Sequence, residues 1–293
     1  MPTRRDLIRA LEAAVGAKYV LWRPEDLAVY AFDGTIEKST PHAVVLPDGA
    51  EEVAKVVRAC NALGVPITPR GAGTGLSGGS VPAKRGVVIA TGRMRRVLEI
   101  DKANRLAVVE PGVANLDLSK VAAPYGLFYA PDPSSQQACT IGGNVAENAG
   151  GPHCLALGVT QNHVLGLEVV TADGEITWLG GKVADSFGYD LRGAFIGSEG
   201  TLGITTKIVV RLVPLPASVV TLLAVFDTVQ QASETVSTII SAGMIPAAME
   251  MMDRLTLQAA EAGMHCGYPP DAGAVLLVEL DGLPEVIDSQ AVR

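Results

Sequence analysis

The sequence predicts an α+β protein in two parts, and three features of the 293 residues carry that expectation. A β-α-β unit over about 43–68 runs into a stretch of unusual glycine density, TPRGAGTGLSGGS, at 68–80. A strand-rich region follows as far as about 213. The run PLPA at 214–217 then interrupts the pattern, and a second β-α-β-α-β alternation begins. The expected divisions are an N-terminal helical segment at 1–40, a ligand-binding domain at 41–216 and an incomplete second domain at 217–293.

Within the first segment, Leu7, Ile8, Leu11 and Val15 recur at helical spacing. AVVLP at 43–47 reads as a buried strand. Asp48 with Glu51 three residues on forms a capping-box pattern, and Gly64 stops the helix that carries Val53, Val56, Val57, Cys60 and Leu63. VPIT is the next strand, GVVIA at 86–90 another, and RVLEID with RLAVVEPG a hairpin. A short helix is expected around 144–148. HVLGLEVVTADGEITWLG reads as strand, Asp173-Gly174 turn, strand. Beyond 217 come strands at 219–226, 247–252 and 274–282, separated by helices at about 228–242 and 253–262.

Composition narrows the functions. At 48% hydrophobic residues the chain can bury a large core, and a net charge of -8 argues against a nucleic-acid partner. No run is apolar and long enough to span a bilayer, and the N-terminus lacks the apolar core of a signal peptide. Cys60, Cys139, Cys154 and Cys266 show no C-x-x-C spacing, so a reduced cytoplasmic protein is expected. Attachment to the inner membrane would then be peripheral, through a partner. The pairs His153/Cys154 and His265/Cys266 hold ligand types for zinc, but adjacent side chains rarely converge on one ion, and no metal site is expected.

The glycine stretch could be a flexible linker or a backbone cradle for an anion. Gly73-x-Gly75-x-x-Gly78 matches the dinucleotide fingerprint, yet that fingerprint needs a helix to open at the loop, and here a strand follows. A Walker A loop is excluded because no Lys-Ser or Lys-Thr follows the glycine. Backbone amides, without a helix dipole, would have to hold the anion. Two further small-residue loops, at 131–151 and 195–204, imply an elongated ligand met by backbone at several points.

PRGAGTGLSGG, PDPSSQQACTIGGNVAENAGGPHC, GVTQNHVLGLEVVTADGE and GYDLRGAFIGSEGTLGI, in this order, resemble the successive signatures of the FAD-linked oxidases of the vanillyl-alcohol oxidase type. Their branch that oxidises glycolate or D-lactate is the most similar. The resemblance extends through PAAMEMMDRLTLQAAEAGMHCGYPPDAGAVLLVELDG. It implies a two-subdomain, PCMH-type FAD-binding domain followed by the start of a ferredoxin-like cap domain. By that likeness Pro69, Arg70, Gly71, Ala72, Gly73 and Thr74, with Gly75, Leu76, Ser77 and Gly78, form the pyrophosphate loop. Pro131, Asp132, Ser135, Thr140, Gly142, Gly143, Asn144 and Gly150 would lie along the flavin and ribityl chain. Val164, Glu199, Gly200, Thr201, Gly203 and Ile204 would cover the adenine side and the remaining diphosphate.

Members that bind FAD covalently through this loop carry a histidine where Thr74 stands, so non-covalent FAD is implied. A second departure is CLALG at 154–158, where Ala156 and Leu157 replace the lysine and tyrosine common in the family. The resemblance further implies hydride transfer from a 2-hydroxy acid to flavin, giving the 2-keto acid, with an iron-sulfur subunit or a quinone as electron acceptor. The family's H-x-G-D-G-N-x-H segment and its Glu-His pair are absent, which would put the catalytic base and metal site beyond residue 293. Among the histidines present, His42 is expected to be exposed and His163 to pack or touch cofactor. His153, after NAGGP, is the candidate for facing the flavin. Tyr189 and Asp190 are expected to close a turn. The alternative is a truncated, non-catalytic FAD-binding module.

Overall fold

The computed structural model describes residues 3–183 and 188–291. The chain divides into two compact units, Met1–Ala149 with Val159–Val213, and Gly150–Gly158 with Pro214–Arg293.

In the first unit α1 (Arg4–Val15) starts at Thr3, whose hydroxyl accepts from the Asp6 amide while the Asp6 carboxylate accepts from the Thr3 amide. Leu7, Leu11 and Val15 form its buried face. After β1 (Val20–Leu21) and α2 (Pro24–Ala28), the expected β-α-β unit appears as β2 (Ala43–Val45), α3 (Ala50–Leu63) and β3 (Ile67–Arg70). Gly64 in the left-handed region closes α3 as expected. The Asp48/Glu51 capping box does not form. Gly49 is the N-cap, the Asp48 amide donates to Glu52 Oε2 at 2.8 Å, and Arg93 draws the Asp48 and Glu52 carboxylates to 3.5 and 3.6 Å.

The glycine stretch joins β3 to β4 (Val87–Ala90), and the two strands pair in parallel, with β4 central in the order β1-β2-β4-β3. Adjacent parallel strands need a crossover of a dozen or more residues, usually helical. Residues 71–86 make that crossing without a helix. All four positions of β4 are buried.

The second sheet is antiparallel. It contains β5 (Val97–Asp101), β6 (Leu106–Val109), β8 (Val164–Thr171), β9 (Ile176–Gly180) and β10 (Gly203–Arg211), in the order β5-β6-β10-β8-β9. Between β6 and β8 lie α4 (Asn115–Ala122), β7 (Leu127–Phe128), α5 (Ile141–Glu147), α6 (Cys154–Leu157, in the second unit) and α7 (Thr160–His163). The expected helix at 144–148 in fact starts at Ile141. Thr140 caps it by accepting from the Gly143 amide, and Asn148, with φ of 48°, ends it. α8 (Leu191–Phe195) begins at Asp190, which accepts from Gly193 N and so performs the expected turn-closing role. Val170 and Ile204 share a buried cluster with Leu7, Leu11, Val53 and Val57, so α1 and α3 bind the sheets into one core. Each such side chain contributes roughly 1.5–3 kcal/mol on burial.

After β11 (Val213–Pro214), the second unit consists of β12 (Ser218–Phe226), α9 (Val229–Ser241), β13 (Ala248–Asp253), α10 (Arg254–Met264), β14 (Ala274–Gly282) and α11 (Pro284–Ala291). β14 lies between β12 and β13 and is antiparallel to both, a split β-α-β arrangement. Leu276, Val278, Leu280 and Ile287 form its core. α11 is an addition to the expected elements. Among the described residues no helix is long and apolar enough to cross a membrane, and no group of three or more His, Cys, Asp or Glu side chains could hold a metal.

Candidate functional site

A cleft of about 270 Å³ opens in the first unit where three small-residue loops converge. The loop after β3 forms one wall, the segment leading into α5 another, and the turn before β10 the third. Close packing dictates the residue types. A side chain at Gly71 would collide with Thr140 Oγ1, and one at Gly73, where φ is 74°, with the Arg70 guanidinium. Gly75 is different: the nearest atom to a Cβ built there is Glu147 Oε1 at 3.7 Å, so the space in front of it is left to a ligand.

The electrostatics follow from which amides are already used. In α5 the amides of Ile141, Gly142 and Gly143 donate to Val113 O, Pro111 O and Thr140 Oγ1, so the start of this short helix offers no free donors. Along residues 71–79 the reverse holds. Among the described residues, none of these nine backbone amides donates a hydrogen bond to protein. Such a run of unspent donors along a glycine loop is a concave site for an anion. Arg70, only 7% exposed, places a cation behind it, although burial lowers its pKa from the ordinary value and Asp33 opposes that shift.

One group works against the field. Glu147, on the last turn of α5, projects to the same wall and receives the Ser77 hydroxyl at 3.3 Å. Burial raises the pKa of its carboxyl, the neighbouring Glu199 adds to the rise, and Ser77 partly offsets it.

The cleft brings together most of the expected residues: Pro69 to Leu76 in the first loop, Ser135, Thr140 and Gly142 to Asn144 in the second, and Glu199, Gly200, Gly203 and Ile204 in the third. Ser77, Gly78, Pro131, Asp132, Val164 and Thr201 do not line it. The Pro131 carbonyl accepts from Asn115 Nδ2, Val164 is 1% exposed in the core, and the Thr201 hydroxyl donates to Ser198 O. Gly150 belongs to the second unit. Asn144 is buried beneath the surface, its amide held by Asn115 and Cys139. Pro111, Cys139, Glu147 and Phe195 also line the cleft. Glu147 follows Asn144 by one helical turn, a spacing visible in the sequence once the helix start at Ile141 is known.

The four histidines separate. His42 is half-buried, with burial lowering its pKa, and His265 is the exposed C-cap of α10. His163 is buried edge-on to Tyr129, ring centroids 6.3 Å apart. His153, in the second unit, places Nε2 2.8 Å from Glu279 Oε1 on β14.

Comparison with known proteins agrees with this construction. Residues 41–180 match the family described as FAD binding domain, and residues 215–293 match that described as FAD linked oxidases, C-terminal domain. The chain is 47% identical to glycolate oxidase subunit GlcD of Escherichia coli (strain K12) over 291 residues, covering 99% of this chain and 58% of that protein. It is 37% identical to D-lactate dehydrogenase of Anaerostipes hadrus, covering 89% of this chain and 55% of the relative. The chain thus spans little more than half the length of these relatives. A solved alkyldihydroxyacetonephosphate synthase shares the fold with a TM-score of 0.87 at 22% identity, covering 99% of this chain and 58% of that one. p-Cresol methylhydroxylase does so with a TM-score of 0.81 at 20% identity, covering 98% and 62%. With a FAD binding domain match over residues 41–180 followed by a match to the FAD linked oxidases, C-terminal domain, over residues 215–293, the chain belongs to the FAD-linked oxidases.

Proposed function

We propose that this chain holds FAD non-covalently in the cleft and serves the oxidation of a 2-hydroxy acid, glycolate or D-lactate, to the 2-keto acid. The observation that carries the reading is the run of acceptorless amides at 71–79. FAD contains a diphosphate between two elongated halves, and a loop with free donors, a buried cation behind it and open space at Gly75 fits that group. The residues proposed to hold it are Pro69–Leu76, Ser135, Thr140, Gly142–Asn144, Glu199, Gly200, Gly203 and Ile204, with Thr74 in place of a histidine that could bond the flavin. Bound FAD supplies the hydride acceptor. The chain contributes a dry wall of Pro111, Ile204 and Phe195 and the backbone that orients the cofactor.

The relatives named as oxidase subunits support a partner subunit; an iron-sulfur subunit or a quinone is proposed as the electron acceptor, with any attachment to the inner membrane made through such a partner.

The purified chain, reconstituted with FAD under anaerobic conditions, tests this reading. Bleaching of the flavin absorbance on adding glycolate or D-lactate is expected. A yellow protein that stays oxidised with both identifies a binding module without this activity. Acid precipitation should release all flavin into the supernatant, and flavin retained on the polypeptide contradicts the non-covalent assignment.

A further inference from the structure

We propose that the turn Phe32–Gly34, lying outside the matched FAD-binding segment of 41–180, is the rear half of the diphosphate cradle, and that Arg70 positions the loop from behind instead of binding the anion. The proposal rests on the reading of residues 71–79 as the diphosphate loop.

The geometry separates the two sides of that loop. Its amides have no protein acceptors, but the Gly75 carbonyl in its middle and the Ser80 carbonyl at its end are tied back. The Gly34 amide donates to Gly75 O at 3.0 Å, and Arg70 Nη1 donates to Phe32 O at 2.7 Å and to Ser80 O at 3.4 Å. One guanidinium therefore links the end of the loop to the N-terminal turn. Arg70 is held in place by the ring of Tyr30, 5.7 Å from its Cζ, and by the flat face of Gly73. Asp33, 7% exposed, supplies the counter-charge and is itself fixed by the Thr35 amide at 2.9 Å and hydroxyl at 2.7 Å. Gly34 is exposed, yet a Cβ there would stand 2.7 Å from Gly75 O and 2.8 Å from Leu76 Cδ2. Pulling carbonyls to one side turns the intervening amides to the other, so the turn sets the direction in which the loop's donors point.

Gly34→Ala and Arg70→Lys in the full chain test this, with FAD and ADP as probes, because both carry the diphosphate. Gly34→Ala displaces the Gly75 carbonyl at an exposed turn, so the variant should stay folded, with a ligand-free melting temperature no more than about 5 °C below the parent. Its dissociation constants for FAD and ADP should rise at least tenfold, and by the same factor. Arg70→Lys keeps the charge but loses the guanidinium that spans two carbonyls, and should not restore affinity. Folded Gly34→Ala with parental ADP affinity overturns the proposal, as does a loss for FAD that ADP does not share. Full affinity in Arg70→Lys reduces Arg70 to its charge and overturns the positioning role. A parent chain that binds neither FAD nor ADP overturns the reading of the loop itself.

Discussion

Glu147 brings a carboxylate against the wall of the cleft that is built from unspent amides and backed by Arg70. Its pKa is raised by burial and then by Glu199, so it gives up its charge at a higher pH than an ordinary glutamate. The sign of the pH dependence follows. The ionised form repels a bound diphosphate and the protonated form does not, so parental affinity should rise as pH falls from 7.5 through the raised pKa. Glu147→Gln removes a like charge near the protein surface, an interaction on the order of 1 kcal/mol. It should bind FAD about fivefold more tightly at pH 7.5, with the advantage shrinking at acid pH as the parental carboxyl takes up its proton, as read by quenching of flavin fluorescence. Weaker binding by Glu147→Gln at pH 7.5 and at acid pH alike would mean that the carboxylate accepts a hydrogen bond from the cofactor. The same carbonyl and carboxylate details show what one-dimensional reading misses. Gly71 and Gly73 announce themselves as glycines, but the partners that demand them, Thr140 and Arg70, are identified only by contact.

At the scale of elements, the loop after β3 exposes amides with no acceptors, whereas those of α5 are already committed. Cofactor binding should slow hydrogen exchange selectively along residues 71–79, by an order of magnitude or more, because only these amides gain partners. The amides of Gly142 and Gly143 should change far less, and equal protection in both segments would count against the loop as the anion site. The long elements were legible in the sequence because periodicity and punctuation agree in them. α3 has its apolar stripe and terminal Gly64, and β8 and β9 flank an Asp-Gly turn. α5 was placed three residues late because its first turn contains two glycines, poor helix formers that obscure the Thr140 cap. α4 has Ala114 at its N-cap and no side-chain cap bond, so no start signal marks it. The contribution of Phe32–Gly34 was invisible for another reason: its partners lie some forty residues away, and nothing local in YAFDGT records them.

For the whole molecule, two observations combine: every residue lining the cleft belongs to the first unit, and that unit encloses the core in which Leu7, Val53, Val170 and Ile204 meet. A ligand that binds only the folded cleft stabilises it by mass action, by about 2.7 kcal/mol at a hundredfold excess over its dissociation constant. For a folded unit of roughly 150–250 residues, each kcal/mol moves the midpoint by about 2–4 °C. FAD at that excess should therefore raise the melting temperature of the flavin-free chain by about 5–10 °C in differential scanning calorimetry. ADP at the same multiple of its own dissociation constant should produce a comparable shift, since the linkage depends on saturation and not on which half of the cofactor is present. If calorimetry resolves two transitions, the shift belongs to the one that carries the first unit. An unchanged trace with FAD present in excess would show that the folded chain does not bind it, whatever its glycine loop resembles.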